Sequence, residues 1–93
     1  MEYRFDDRSL TAQVFLSLVN QVWPGDYDRD KTQAALEKTI QVTAYDGPVL
    51  VGCLRILTDG CFFGTITELL VLPTYQKQGI GSHLLQLARE RTP

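Results

Sequence analysis

The chain carries two glycines at the start of a predicted helix, a pattern suited to binding an anion. Gly79 and Gly81 follow a proline-terminated apolar stretch in the run ELLVLPTYQKQGIGSHLL, residues 68 to 85. The first four N–H groups of a helix have no partner within it, and the peptide dipoles place about half a positive charge there. Glycine lets a phosphate approach without meeting a Cβ atom. The pattern favours a phosphate site, although a lone Gly-x-Gly can also simply ease a loop into a helix.

Glu68 is a second candidate for chemistry because it lies in an otherwise apolar predicted strand, between Ile66 and Leu70. A carboxylate there loses solvation unless it is wetted or paired. With a raised pKa it could accept a proton from an amine, directly or through water, as a general base. Two structural roles stay open: an edge-strand charge that discourages aggregation, or an ion pair with Arg55 across a hairpin.

Metal and disulfide chemistry are not expected. Two cysteines, Cys53 and Cys61, and one histidine, His83, are too few and too widely spaced for a zinc site. If Asp59-Gly60 is a two-residue hairpin turn, Cys53 faces Ile66, and the two thiols are out of register for a disulfide. We interpret both cysteines as small strand residues.

Composition limits the classes of partner. The 93 residues are 44% hydrophobic and 22% charged, which is typical of one small globular domain. A formal charge of −2 without a basic cluster argues against nucleic acid. Apolar stretches are too short to cross a bilayer, and the start of the chain lacks a signal-peptide pattern. We therefore expect no membrane partner and a cytoplasmic location.

Two helices are predicted in the first half of the chain. Ser9 is a good N-cap for a helix over residues 10 to 22, and Asp30 is a plausible cap for a more polar helix over residues 31 to 39. The second helix is expected to bury mainly Ala35 and Leu36, with Ala34 beside them. The apolar face of the first is Leu10, Val14, Phe15, Leu18, Val19 and Val22.

Strand signals dominate the rest. Residues 3 to 5 are a short first strand, and residues 40 to 44 alternate as a strand with one wet face. Asp-Gly turns at 46-47 and 59-60 then separate strands over residues 49 to 58 and 61 to 72, and a helix follows over residues 80 to 91. The predicted order is β-α-α-β-β-β-α, an α+β fold with a mixed sheet.

The run from Val71 to Gly81 resembles motif A of the GNAT family, the acetyl-CoA-dependent N-acetyltransferases. That motif is an apolar strand ending in Val-x-Pro, then Gln/Arg-x-x-Gly-x-Gly/Ala; this chain has VLPTYQKQGIG followed by SHLL. The element order also matches the family's N-terminal half, and the resemblance covers essentially all 93 residues. It implies a single GNAT acyltransferase domain over residues 1–93 that lacks the family's C-terminal strands and helix.

The resemblance implies acetyl-CoA as cosubstrate and a primary amine, on a small molecule or a protein, as acceptor that attacks directly. The pantetheine arm of acetyl-CoA would pair as an added strand with the backbone of Leu70, Val71 and Leu72. Lys77 would add a salt-sensitive phosphate contact, unless it is only a solvated charge. The backbone N–H groups that would hold the pyrophosphate are those of Gln76, Lys77, Gln78, Gly79, Ile80, Gly81 and Ser82.

The segment between the first two helices is where the family commonly builds part of the acceptor pocket. Its candidates are Trp23, Asp26, Tyr27, Asp28 and Asp30, although this composition is more typical of a capped, solvated loop with one aromatic ring on the core. A non-catalytic module that binds coenzyme A or self-associates is the alternative function. The third meander strand would leave an open edge, through which a homodimer could form.

Overall fold

In a computed structural model that describes residues 1–91, helices pack on both faces of a four-stranded sheet. The elements in chain order are β1 (Glu2–Phe5), α1 (Ala12–Val22), α2 (Arg29–Lys38), β2 (Ile40–Asp46), β3 (Val49–Thr58), β4 (Gly64–Val71), a short 3-10 helix (Pro73–Tyr75) and α3 (Ile80–Arg91). The predicted α+β class and element order are confirmed. None of the described helices is long and apolar enough to cross a membrane.

The sheet of the described residues is antiparallel throughout, in the order β1-β2-β3-β4, and not mixed as predicted, because each of its strands pairs with its neighbour in the chain order. Side chains of β3 alternate between its two faces. A Cβ atom added at Gly52 would lie 3.1 Å from Ile80 and 3.2 Å from Leu84, both on α3. Arg55 is an odd number of residues from Gly52, so its side chain lies on the other face. Its guanidinium carbon is 5.8 Å from the centre of the Phe15 ring on α1. The sheet therefore separates α3 from α1 and α2.

The prediction that β2 has one wet face is wrong. Val42 and Ala44 are fully buried on the α3 side, as expected. Gln41, Thr43 and Tyr45, which were expected to face water, are also buried. Helices cover both faces of the sheet at this strand, so the polar side chains need partners within the protein rather than water.

The start of α1 also differs from the prediction. Thr11, not Ser9, is the N-cap, and its hydroxyl accepts from the Val14 N–H at 3.3 Å. Ser9 is bound by Asp7 instead, through both its N–H and its hydroxyl. The helix begins two residues later than predicted. Leu10 and Val14 were both predicted on its buried face. Leu10 is buried but precedes the helix, and Val14 is 40% exposed.

The second helix begins earlier than predicted. Asp28, rather than Asp30, is its N-cap, and the carboxylate accepts from the Lys31 N–H at 2.9 Å. Of the residues expected to be buried, Leu36 is buried, Ala35 is half-buried and Ala34 is exposed. The helix therefore contacts the core along a narrow strip.

The β3–β4 connection is a five-residue loop rather than the predicted two-residue turn, with Thr58 paired to Gly64. One carboxylate oxygen of Asp59 accepts three successive backbone N–H groups, those of Cys61, Phe62 and Phe63. This stabilises a wider loop than Asp-Gly alone predicts. Cys53 then pairs with Leu70 rather than Ile66. Both cysteines are free; Cys53 is buried in β3, whereas Cys61 lies exposed in the loop and not in a strand as predicted.

Candidate functional site

The glycine turn before α3 presents unused backbone donors. Gly79 has φ +83, which is why glycine is needed there, and its carbonyl accepts from the His83 N–H at 3.0 Å. Within residues 1–91, no hydrogen bond uses the N–H groups of Gly79, Ile80, Gly81 or Ser82. Four free amides at the positive end of a helix form a site that an anion can occupy.

Gly81 has a different role from the one that the sequence suggested. A Cβ atom at this position would lie 3.6 Å from the Leu69 side chain and 3.9 Å from that of Val71. It would therefore point toward β4, not toward an anion at the helix end. The glycine reduces the bulk between α3 and β4, whereas its N–H remains available.

Gln76 contributes less backbone to this turn than expected. Its N–H already donates to the Pro73 carbonyl at 3.4 Å. Its side-chain amide donates to the Val71 carbonyl at 3.0 Å and so ties the turn to the end of β4. The next residue, Lys77, has φ +66 and reverses the chain direction toward α3.

The edge of β4 is open on the side away from β3 in the described part of the chain. The Leu72 N–H donates to the Val51 carbonyl at 2.9 Å, so Leu72 faces β3. Because backbone groups alternate in direction along an antiparallel strand, Leu70 faces β3 as well, and Leu69 and Val71 face outward. Of the three residues predicted to pair with the cofactor arm, Val71 is the one that presents its backbone to the edge.

A β-bulge lies one residue before Glu68. Arg55 pairs with Glu68 and Ile56 with Ile66, so Thr67 has no opposite residue. The Thr67 hydroxyl accepts from the Arg55 Nε at 3.2 Å and donates to the Arg55 carbonyl at 3.3 Å. Bulges redirect side chains and are common beside active sites. The local sequence gives no signal for this one.

Glu68 forms an ion pair with Arg55, one of the structural roles that the sequence left open. The side chains of Glu68 and Arg55 are 15% and 21% exposed, so the pair is largely shielded from solvent. Arg55 also lies over the Phe15 ring. The ion pair supplies the partner that a carboxylate in an apolar strand requires.

A cavity of about 390 Å³ opens beside this ion pair, between α1, α2 and the sheet. It brings Glu68 together with four of the five residues predicted between the first two helices; Asp30 does not line it. The lining residues are Phe15, Leu16, Val19, Trp23, Asp26, Tyr27, Asp28, Lys31, Thr32, Ala35, Arg55 and Glu68. The size suits a small organic molecule.

Asp7 is a buried acid that no motif in the sequence indicated. Its carboxylate accepts from the Tyr45 hydroxyl at 2.7 Å, the Thr43 hydroxyl at 2.9 Å and the Ser9 N–H at 3.0 Å. Burial raises the pKa of Asp7, but hydrogen bonds from Ser9, Tyr45 and Thr43 outweigh it and leave the pKa lowered. Burial and the bond to Asp7 raise the pKa of Tyr45 to about 12. Asp7 does not line the cavity beside Glu68.

Comparison with known proteins gives consistent matches. Residues 9–92 match the model described as the acetyltransferase (GNAT) family. A curated Gibberella zeae protein, named as a candidate acetyltransferase, is 31% identical in an alignment that covers 73% of this chain and 49% of that protein. A solved GNAT-family acetyltransferase from Streptococcus pneumoniae TIGR4 is 29% identical, with a TM-score of 0.81, over 96% of this chain and 65% of that one.

Another solved structure with the same fold was determined with coenzyme A bound. An aminoglycoside 6'-N-acetyltransferase complexed with coenzyme A has a TM-score of 0.81 and 23% identity, over 97% of this chain and 54% of that one. At this identity the likeness is one of fold. The chain spans about half the length of the curated relative and between about half and two thirds of these two structures.

Proposed function

Because the chain belongs to the GNAT acetyltransferase family, we propose that it acts in transfer of an acetyl group from acetyl-CoA to a primary amine. The observation that carries the proposal is the set of free amides at the start of α3, next to the outward edge of β4. Together they offer a diphosphate site and, beside it, a strand edge along which an extended arm can lie.

The cofactor would bind through backbone groups. Its diphosphate would accept from the amides of Gly79, Ile80, Gly81 and Ser82, with the Lys77 ammonium as a salt-sensitive addition. The pantetheine arm would pair with the outward groups of Leu69 and Val71. The Gln76 side chain occupies the Val71 carbonyl in the free protein, and it would share or leave that carbonyl when the arm binds.

The acceptor amine would enter the cavity beside Glu68 and attack the thioester carbon. A nitrogen–carbon bond forms, the carbon–sulfur bond breaks, the amine loses a proton and the leaving sulfur gains one. Glu68, oriented by Arg55, would take the amine proton directly or through a water molecule. The outward N–H of Leu69, which lies farther from the diphosphate along the edge of β4, would polarise the thioester carbonyl.

A non-catalytic coenzyme A-binding module is the second candidate, and one observation favours it. Arg55 already engages Glu68, as it would if the acid were purely structural. In that case the amides and the edge of β4 would bind coenzyme A without chemistry, or the same edge would pair with a second copy. The two candidates differ in the release of free thiol when an amine is present.

Cofactor binding is tested at Ser82, which is exposed and sits in the first turn of α3. Ser82→Pro removes one free N–H at a position where proline is tolerated, and Gly81 before it has no Cβ to clash. We expect coenzyme A affinity to fall roughly tenfold or more, since a hydrogen bond to a charged group contributes about 1.5 to 3 kcal/mol. Isothermal titration calorimetry measures the affinity for coenzyme A.

Ser82→Ala is the matched control, because it removes the hydroxyl and keeps the N–H. Its coenzyme A affinity should equal that of the unmodified chain, and pantetheine without phosphate should bind both variants alike. Equal coenzyme A affinity in the proline and alanine variants would argue that these amides do not hold the diphosphate.

The base assignment is tested with Glu68→Gln. We expect thiol release in the presence of amines to fall roughly 100-fold or more, the usual contribution of a general base, while coenzyme A affinity stays unchanged. The pH dependence of the rate should then follow only the free amine. An unaltered rate and pH profile would contradict the assignment, and coenzyme A binding with no thiol release from any amine would favour the module.

A further inference from the structure

The cavity beside Glu68 has a mainly apolar and aromatic wall. Its apolar members are Phe15, Leu16, Val19, Trp23, Tyr27 and Ala35. Trp23 is 54% exposed and Tyr27 is 41% exposed, so two large rings border a concave space that nothing within residues 1–91 fills. Apolar surface in a concavity of this kind is typical of a ligand site.

The charges that line the cavity nearly balance, with three carboxylates and two cations. Glu68 is paired with Arg55, and the carboxylate of Asp28 caps α2. Asp26 and Lys31, of opposite sign, complete the charged lining. The cavity therefore offers little surplus negative charge, whereas a ligand with several ammonium groups would require several free carboxylates.

Tyr27 is held in one place by its surroundings. Its hydroxyl donates to the Trp23 carbonyl at 2.7 Å. A Cβ atom added at Gly25 would lie 3.0 Å from two carbons of the Tyr27 ring, so the ring rests directly on the glycine. The Gly25 N–H donates in turn to the Asn20 side chain at 3.1 Å. The loop thus preorganises an aromatic wall, which reduces the entropic cost of binding.

We propose that this cavity selects a primary amine that carries a single aromatic or similarly apolar group, and disfavours hydroxylated polycations such as aminoglycosides. The apolar group lies against Tyr27 and Trp23, and the amine points to Glu68. The inference rests on the proposed acetyl transfer, since it names the class of acceptor. Gly25 is a positioning residue for the Tyr27 ring.

Trp23 makes the test direct, because it is the chain's single tryptophan and it lines the cavity. Its fluorescence is followed while phenethylamine, propylamine or kanamycin is added, with and without saturating coenzyme A. We expect phenethylamine to bind about tenfold or more tightly than propylamine, because a buried ring contributes at least this much. Kanamycin should bind most weakly. Equal or tighter binding of kanamycin would overturn the proposal.

Substitutions at Tyr27 and Gly25 test whether the Tyr27 ring contacts the ligand. Tyr27→Ala should remove most of the preference for phenethylamine over propylamine, whereas Tyr27→Phe keeps the ring on Gly25, loses only the bond to the Trp23 carbonyl and should retain most of the preference. Gly25→Ala places a Cβ atom against the ring and should also reduce the preference. Because Tyr27 is partly exposed, the melting temperature should change little. An unchanged preference in Tyr27→Ala would show that the ring does not contact the ligand.

Failure of this inference can be told apart from failure of the proposed function. Coenzyme A affinity and thiol release are measured separately, and Tyr27→Ala should leave coenzyme A affinity unchanged. Thiol release without an aromatic preference would overturn the acceptor class and leave acetyl transfer standing. An aromatic preference without coenzyme A binding would do the reverse: the cavity's selectivity would stand, but not its assignment as an acceptor site.

Discussion

The two faces of the sheet are built from different chemistry. Toward α3, the buried surface consists of aliphatic side chains such as Val42, Leu54 and Leu84. Toward α1 and α2, the same strands bury an aspartate network and the largely shielded Arg55–Glu68 pair. The contrast indicates that the α3 face mainly provides stability, whereas the opposite face carries the groups that can ionise, orient a ligand or move a proton.

The face toward α1 and α2, here called the polar face, is organised by the free-energy cost of burying polar groups. A buried polar group without a partner costs about 1 to 3 kcal/mol, so each must be satisfied within the protein. Thr43 and Tyr45 donate to Asp7, and Gln41 donates to Thr39. The apolar face needs only close packing. Substitutions on the two faces should therefore differ in how they change stability, its pH dependence and the reaction rate.

The largest effect is expected on the apolar face. Leu84 is fully buried, and Leu84→Ala should lower the free energy of unfolding by about 3 to 4 kcal/mol through lost contacts and a residual cavity. Urea denaturation measures the loss. Leu85→Ala, at the half-buried neighbouring position, is the control and should cost less than half as much. Equal losses would contradict the assignment of the core to the Leu84 side of α3.

A smaller and pH-dependent effect is expected at Asp7. Asp7→Asn should lower the free energy of unfolding at pH 7 by about 2 kcal/mol, because hydrogen bonds to a charged acceptor are weakened. The folded pKa of Asp7 lies below its ordinary 3.8. Its contribution is therefore complete above that value and is lost as the pH falls from there through the folded pKa.

Denaturation measured from neutral pH to pH 2 tests this at Asp7. The gap in stability between the unmodified chain and Asp7→Asn should narrow as the solution becomes acidic. Tyr45→Phe, which removes one donor and keeps the carboxylate, should retain the acid sensitivity in part. A gap that stays constant over this range would exclude Asp7 as a source of acid sensitivity.

The smallest effect concerns the ion pair. A double-mutant cycle with Arg55→Met and Glu68→Gln should give a coupling energy of about 1 kcal/mol, since the pair is shielded but not fully buried. Glu68→Gln should reduce thiol release far more than it reduces stability. A coupling energy of several kcal/mol with no effect on the rate would make the pair a structural element and weaken the contrast between the faces.

Local signals predicted much of the fold. The bounds of β3 and α3 agree with the prediction, because turn residues and apolar periodicity mark them within a few positions. The N-cap of α1 could not be chosen in this way, since Ser9 and Thr11 are both suitable caps. The choice depends on Asp7, which engages Ser9 and is itself fixed by Thr43 and Tyr45, far along the chain.

The site was less predictable than the fold. The motif identified the amides before α3, because their positions follow from the strand, turn and helix around them. Which backbone groups of β4 face outward depends on its register with β3, and that register is set by a wide loop and a bulge at Thr67. The Asp-Gly signal at 59-60 indicated a tighter turn. Pairing of two copies through this edge stays a prediction.

The contact between Gln76 and β4 has a consequence for the free protein. An exposed strand end invites a second chain to extend the sheet, which is a common beginning of aggregation. By donating to the Val71 carbonyl at 3.0 Å, the Gln76 side chain already saturates one of the acceptors that such an intruder would need. The Gln76 side chain therefore protects the end of β4 from pairing with another strand.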